Sequence, residues 1–159
     1  MTVAQREFLR HTVATLAYRG GKAVRDAPGD FGAFRVKEMT RTPGQILAHI
    51  CDLLDWALSQ AQGQQKWNDS TPQAWEDDVR RFFAGLASLD EYLASGQPLG
   101  FPAEQIFQGA IADALTHVGQ INMLRRLAGS RVKGENYFRA DIVAGRVGPE
   151  QTAPKREFD

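Results

Sequence analysis

Apolar side chains recur at three- and four-residue steps in four long stretches, each bounded by clusters of Pro, Gly and Asp. That spacing places them on one face of a helix. The first stretch predicts a helix over 4–27, with Phe8, Leu9, Val13, Leu16 and Val24 on its apolar face and Pro28-Gly29-Asp30 as its stop. Its Gly20-Gly21 pair weakens the helix by about 1 kcal/mol per glycine relative to alanine, which points to a kink or a close contact there. The second helix is predicted to begin at Pro43. Thr42-Pro43-Gly44-Gln45 sets a capping threonine before a first-turn proline, with a glutamine three residues after the cap. Ile46, Leu47, Ile50, Leu53, Leu54, Ala57 and Leu58 continue as one broad apolar face, and Gly63 stops it.

The third helix is predicted to open near Pro72 and to carry Trp75, Val79, Phe82, Phe83, Leu86, Leu89 and Leu93, closing at Ser95-Gly96-Gln97-Pro98. The fourth is predicted from Pro102 to Leu127 or Ala128, with Gly129 in the usual C-terminal position. No alternating apolar run with hairpin turns occurs, so no sheet is expected. The economical architecture is all-α: four antiparallel helices in a bundle, forming one domain over 1–145. Beyond the fourth helix, Tyr137, Phe138, Ile142 and Val143 suggest a short helix or extended flap near 136–144 that packs on the bundle. The polar stretch 146–159 reads as a mobile tail.

At 159 residues the chain is long enough to bury a core without a disulfide or a metal. Lys+Arg and Asp+Glu balance at 19 each, so no overall basic field exists to attract nucleic acid or anionic lipid. Cys51 is the only cysteine, which excludes an internal disulfide and fits a reducing compartment. Its position beside Leu47, Leu54 and Leu58 reads as a small core residue. The charged N-terminus lacks the apolar run of a signal peptide, and no segment approaches the roughly 20 apolar residues of a membrane-spanning helix. A cytoplasmic protein with neither a nucleic-acid nor a membrane partner is expected.

Three histidines are present, and two of them are placed for chemistry. His49 follows Ile46 by three and precedes Leu53 by four, so it shares their side of the second helix. On the fourth helix Ala110, Asp113, His117, Ile121 and Leu124 form one line, which turns Asp113 and His117 inward. Side chains four apart on a helix can close on one ion, and His49 can complete the set if the second and fourth helices are neighbours. Two imidazoles and one carboxylate leave positions open for water or substrate, as in catalytic zinc and non-haem iron sites. The same spacing also describes a buried hydrogen-bonded cluster, and spacing leaves both readings open. His11 lies off the apolar line of its helix and reads as a surface position. Gln120 reads equally as a local hydrogen-bonding partner or a packing group, and Glu135, Asn136 and Tyr137 as a pocket border or as surface packing. No phosphate loop, GxSxG elbow or CxxC pair occurs.

"TPGQILAHICDLLDWAL" in the second helix, with "LTHVGQINMLRRLAG" in the fourth, resembles the DinB-like superfamily of bacterial four-helix-bundle proteins, over about residues 5–130. The resemblance implies a bundle of DinB-like type with a divalent metal held by one ligand from the second helix and two from the last. His49 and His117, within His117-Val118-Gly119-Gln120, match two of the three histidines, and Asp113 stands where the third is expected. The implied ion is zinc, nickel, iron or manganese. The implied activity is that of a metal-dependent thiol S-transferase, in which the cation lowers the pKa of a low-molecular-weight thiol for attack on an electrophile. A homodimer is implied as well. The rival reading is a non-catalytic bundle that works through dimerisation or a protein partner, with Trp56, Trp67 and Trp75 as interface or packing residues.

Overall fold

The computed structural model describes residues 2–158, so Met1 and Asp159, the outermost residues of the expected domain and tail, lie outside the described residues. The chain is all-α apart from one two-stranded ladder. Helix α1 spans Val3–Val24, α2 Pro43–Ala61, α3 Trp75–Ala94, α4 Ala103–Ile106 and α5 Ala112–Leu127. A π-helical segment, Phe107–Ile111, joins α4 to α5 so that the three form the fourth rod. No helix among the described residues is long and apolar enough to cross a membrane.

Helix α2 begins where its capping signal predicts: the Thr42 hydroxyl accepts from the Gln45 backbone N–H, and the Gln45 side chain accepts from the Thr42 N–H. Helix α3 begins at Trp75, three residues past the expected start near Pro72. No side chain caps it, and Glu76, Asp77 and Asp78 in its first turn complement the helix dipole instead. Helix α1 stops at Val24 rather than at 27, because Asp26 takes a left-handed conformation with φ of 54°. It runs unbroken through Gly20-Gly21. The glycine there serves close packing: a Cβ on Gly20 would lie 2.5 Å from the Phe82 ring of α3.

Each long helix has two neighbours: α1 and α2 both pack on α3 and on the α5 rod. Their directions can be read from end-to-end contacts. Gln5 at the start of α1 meets Glu104, and Ala23 near its end meets Arg125, so α1 and the α5 rod run parallel. The end of α2 meets the start of α4, where the Gly100 N–H donates to the Ala61 carbonyl at 2.9 Å. A Cβ on Gly100 would fall 2.0 Å from the Gly63 Cα, so only glycine permits that approach. Helix α3 starts beside α2's first half, with Cys51 against the Asp78 carbonyl, and ends beside Arg6 at the start of α1. Helices α2 and α3 are therefore parallel. This corrects the expectation of four antiparallel helices: the exposed connection 62–74 returns along the length of the bundle before α3 begins.

Leu16, Leu47, Ile50, Leu86, Ile106 and Ile111 are among the side chains that fill the centre. Arg125 is the one buried basic residue among those described, and its guanidinium donates to the carbonyls of Ala23 and Arg25 at 2.9 and 2.8 Å and to that of Ser130 at 2.8 Å. Burial pulls it below the ordinary arginine range, and Asp26 opposes that shift. Arg125, a basic residue in the last turn of α5, thus also closes the open end of α1.

The stretch 146–158, expected as a mobile tail, folds back. Glu157–Phe158 (β2) pairs antiparallel with Gly134–Glu135 (β1), and Val147 is buried in the core. This short ladder also departs from the expectation of no sheet. Its anchor is ionic: Glu135 accepts from Tyr18 at 2.6 Å, and Lys22 bridges Glu135 and Glu157 at 2.9 and 2.8 Å. The expected flap near 136–144 contains one turn of 3-10 helix, Tyr137–Arg139.

Replacing Arg125 with Ala leaves carbonyls of two helix ends without donors in the core. Urea unfolding of Arg125→Ala is expected to show a loss of about 3 kcal/mol, with Arg125→Lys recovering only part of it because a single ammonium cannot span the same fork.

Candidate metal centre

Helices α2 and α5 are antiparallel neighbours, which brings the second turn of each side by side. The rings of His49 and His117 meet edge to face, with centroids 4.7 Å apart and planes at 89°. Asp113, one turn before His117, reaches both: its two oxygens lie 3.6 Å from His49 Nε2 and 3.5 Å from His117 Nε2. One donor atom from each of the three residues lies within 4.8 Å of the other two, the one such group of possible ligands among the described residues. His11 is exposed on α1 and stands outside it.

The cluster sits at the lip of the bundle. The His117 side chain is 12% exposed, that of His49 22% and that of Asp113 48%. Asp113 therefore departs from the inward position expected of it. The buried line of α5 supplies the reason: it runs through Ala114, Val118, Ile121 and Arg125, and Asp113 and His117, each one residue before a member of that line, fall at its edge.

Gln120 sets the orientation of His117. Its Oε1 accepts from His117 Nδ1–H at 2.9 Å, so the lone pair is on Nε2, facing Asp113. Both His–Asp separations exceed the 2.7–3.2 Å of a normal N–H···O hydrogen bond. The His117 lone pair and the Asp113 oxygens thus face one another, with His49 Nε2 beside them. The two separations run to different oxygens of Asp113, Oδ2 toward His49 and Oδ1 toward His117, so the carboxylate spans the gap between the two imidazoles. Burial lowers the pKa of His49, His117 and Arg41 push it the same way, and Asp113 opposes them. His49 is accordingly neutral at neutral pH, the form that ligates a cation.

The connection 62–74 walls one side of the cluster. The Trp67 ring stands edge-on to His49 at 5.6 Å and to Trp56 at 5.9 Å. Two residues of α2 fasten this loop: Ser59 Oγ accepts from the Lys66 N–H at 3.2 Å, and the Asp52 carboxylate takes the Ser70 N–H at 2.9 Å and the Ser70 hydroxyl at 2.6 Å. Arg81 of α3 donates to Asp52 and Asp55, both at 2.7 Å. Burial pushes the Asp52 carboxyl up, but the bonds from Ser70 and Arg81 outweigh it and hold it below its ordinary value.

Spacing alone leaves Trp67 as an interface or packing residue. Its contact with His49 depends on Asp52 gripping Ser70 across eighteen residues, which no periodicity reports. Trp75 stands apart from these tryptophans, buried edge-on against Phe31 at 5.2 Å. Glu135, Asn136 and Tyr137 do not join the triad: Glu135 is buried against Tyr18 and Lys22, Asn136 caps the Phe138 N–H, and Tyr137 lies under Arg19. Cys51 is buried with its thiol pushed up to about 12 by burial, so it is no nucleophile.

Asp52→Asn is expected to cost about 1–3 kcal/mol at neutral pH, because it weakens bonds to Ser70 and Arg81 in a buried position. The folded carboxyl titrates below its ordinary value of 3.8, so its contribution is fully present above that pH and lost as pH falls through the folded value. The difference between Asp52→Asn and the native protein in urea unfolding should therefore shrink on going from pH 7 toward pH 3.

No protein-family model, curated protein or solved structure matches this chain.

Proposed function

We propose that the protein binds one divalent transition-metal ion through His49, Asp113 and His117, and that the ion activates a low-molecular-weight thiol toward an electrophilic small molecule. The observation that carries the reading is the convergence of three donor atoms within 4.8 Å at separations too long for hydrogen bonds. The donor set fits zinc, nickel, iron or manganese, since imidazole and carboxylate serve each of them. It also accords with the DinB-like resemblance of the two helices, with a carboxylate in place of one histidine.

A cation held there would lower the pKa of a thiol that reaches it. The chain's own residues supply the rest. His49 is kept neutral by burial, Gln120 fixes which nitrogen of His117 faces the centre, and Trp67 keeps water from one side of the His49 ring. Gln120 acts through His117 and is a positioning residue.

Protein purified without chelator is expected to carry close to one transition-metal ion per chain by elemental analysis, and both His49→Ala and His117→Ala should lose it. Full occupancy in His117→Ala, or no uptake by the native protein from zinc, nickel, iron and manganese, overturns the assignment. Gln120→Ala should weaken metal affinity by roughly tenfold or more without removing a ligand, as loss of a ligand-orienting partner does.

Metal affinity is expected to fall as pH drops through the histidine range, because protons compete for the same lone pairs. The lowered pKa of His49 keeps its lone pair available to a pH below that at which an ordinary histidine protonates. Metal retained after equilibrium dialysis across pH 5 to 8 checks the direction, with loss on the acid side expected.

A further inference from the structure

The groove between α2 and α5 does not end at the triad. Asp113 borders an open hollow of about 410 Å³ that Trp56, Gln108, Gly109, Ala112 and Thr116 also line. Asp113 is the only charged side chain on its walls, and the Trp56 indole is its apolar side. Trp67, 41% exposed, meets Trp56 edge to face and reaches back to His49, so aromatic surface runs from the hollow to the first ligand.

Position 109 decides how much room lies over Trp56. A Cβ built there would touch the indole at 3.7 and 3.8 Å, ordinary contact distance, so any longer side chain would occupy space that glycine leaves free. Gly109 belongs to the π-helical turn Phe107–Ile111, and such turns recur at functional sites. Two neutral imidazoles and one carboxylate would leave a divalent ion with one net positive charge. The next ligand is therefore favoured if it is anionic, whereas the hollow beyond favours an uncharged, flat body.

We infer that the site takes a small molecule with an anionic metal-binding head and an aromatic body, the head completing the shell of His49, Asp113 and His117 and the body seated against Trp56 and Trp67. The inference rests on the metal reading above and names the ligand class of that centre. It makes Gly109 and Trp67 determinants of specificity.

Benzohydroxamate and acetohydroxamate share a head group and differ in the body, so they test it directly. Cobalt(II) uptake is measured first, and each probe is then titrated against the cobalt-loaded protein while its visible absorption is followed. Benzohydroxamate is expected to bind roughly tenfold more tightly, reflecting the buried ring and its aromatic contacts. Gly109→Leu should take up cobalt like the native protein and lose that preference. Trp67→Ala, in the exposed connection between α2 and α3 and not itself a ligand, should narrow the preference while keeping the metal, and serves if Gly109→Leu does not fold. Equal affinity for the two probes in the native protein overturns the inference and leaves the metal reading standing, as does an undiminished preference in both variants. Failure to take up cobalt overturns the metal reading and the inference with it.

Discussion

Helix ends leave carbonyls without partners, and a bundle that buries two ends side by side must supply donors there. Arg125 does so for this protein. A single planar guanidinium reaches the Ala23 and Arg25 carbonyls at the end of α1 and the Ser130 carbonyl just beyond its own helix. Because α1 and the α5 rod run parallel, that clamp fixes how far one is shifted along the other. It thereby sets the position of Asp113 and His117 along the bundle, since both are on α5. The clamp holds the two helices together some distance from the triad, and the antiparallel contact with α2 then brings His49 opposite His117.

The candidate centre inherits a second constraint from the order of the helices. With α2 and α3 parallel, the connection between them has to travel the length of the bundle, and it lies along α2. Asp52 and Ser59 grip that connection at Ser70 and Lys66, and Trp67 between them turns onto His49. An up-and-down bundle would join α2 to α3 by a short turn and leave His49 without this aromatic wall. The wall is thus a consequence of topology, and the carboxylate that secures it is buried because Arg81 and Ser70 satisfy it.

Much of this architecture is legible in local pattern. Thr42 and Gln45 announce the start of α2, and the three- and four-residue steps of Ile46, Ile50 and Leu54 identify its buried face without reference to anything distant. Helix direction is not encoded that way. The stretch 62–74 reads as polar in either topology, and only tertiary contacts such as Cys51 with Asp78 show that α3 starts beside the first half of α2. The line from Ala110 to Leu124 misplaces Asp113 because Ile121 belongs to two helical lines at once, and the core takes the one through Ala114, Val118 and Arg125. The tail is not legible because its retention depends on Lys22, which reaches Glu135 and Glu157 from far along the chain. Spacing picks out His49, Asp113 and His117, while Gln120's hold on His117 Nδ1 is a matter of rotamer that spacing leaves open.

The exposure of Asp113 bears on why a carboxylate can stand where the resemblance expects histidine. Asp113 lies at the edge of the rod, and its half-exposed side chain stays solvated on one side. The two histidines stand against it at 3.6 and 3.5 Å, and Gln120 turns the lone pair of His117 toward it. On the metal reading proposed above, a single carboxylate would lower the charge of the loaded centre by one unit relative to three neutral imidazoles. The departure from histidine therefore changes what the centre would bind next. A less positive ion would hold an anionic ligand less tightly by charge alone, and under the proposed ligand class contact with its body, on Trp56 and Trp67, would become the larger share of recognition.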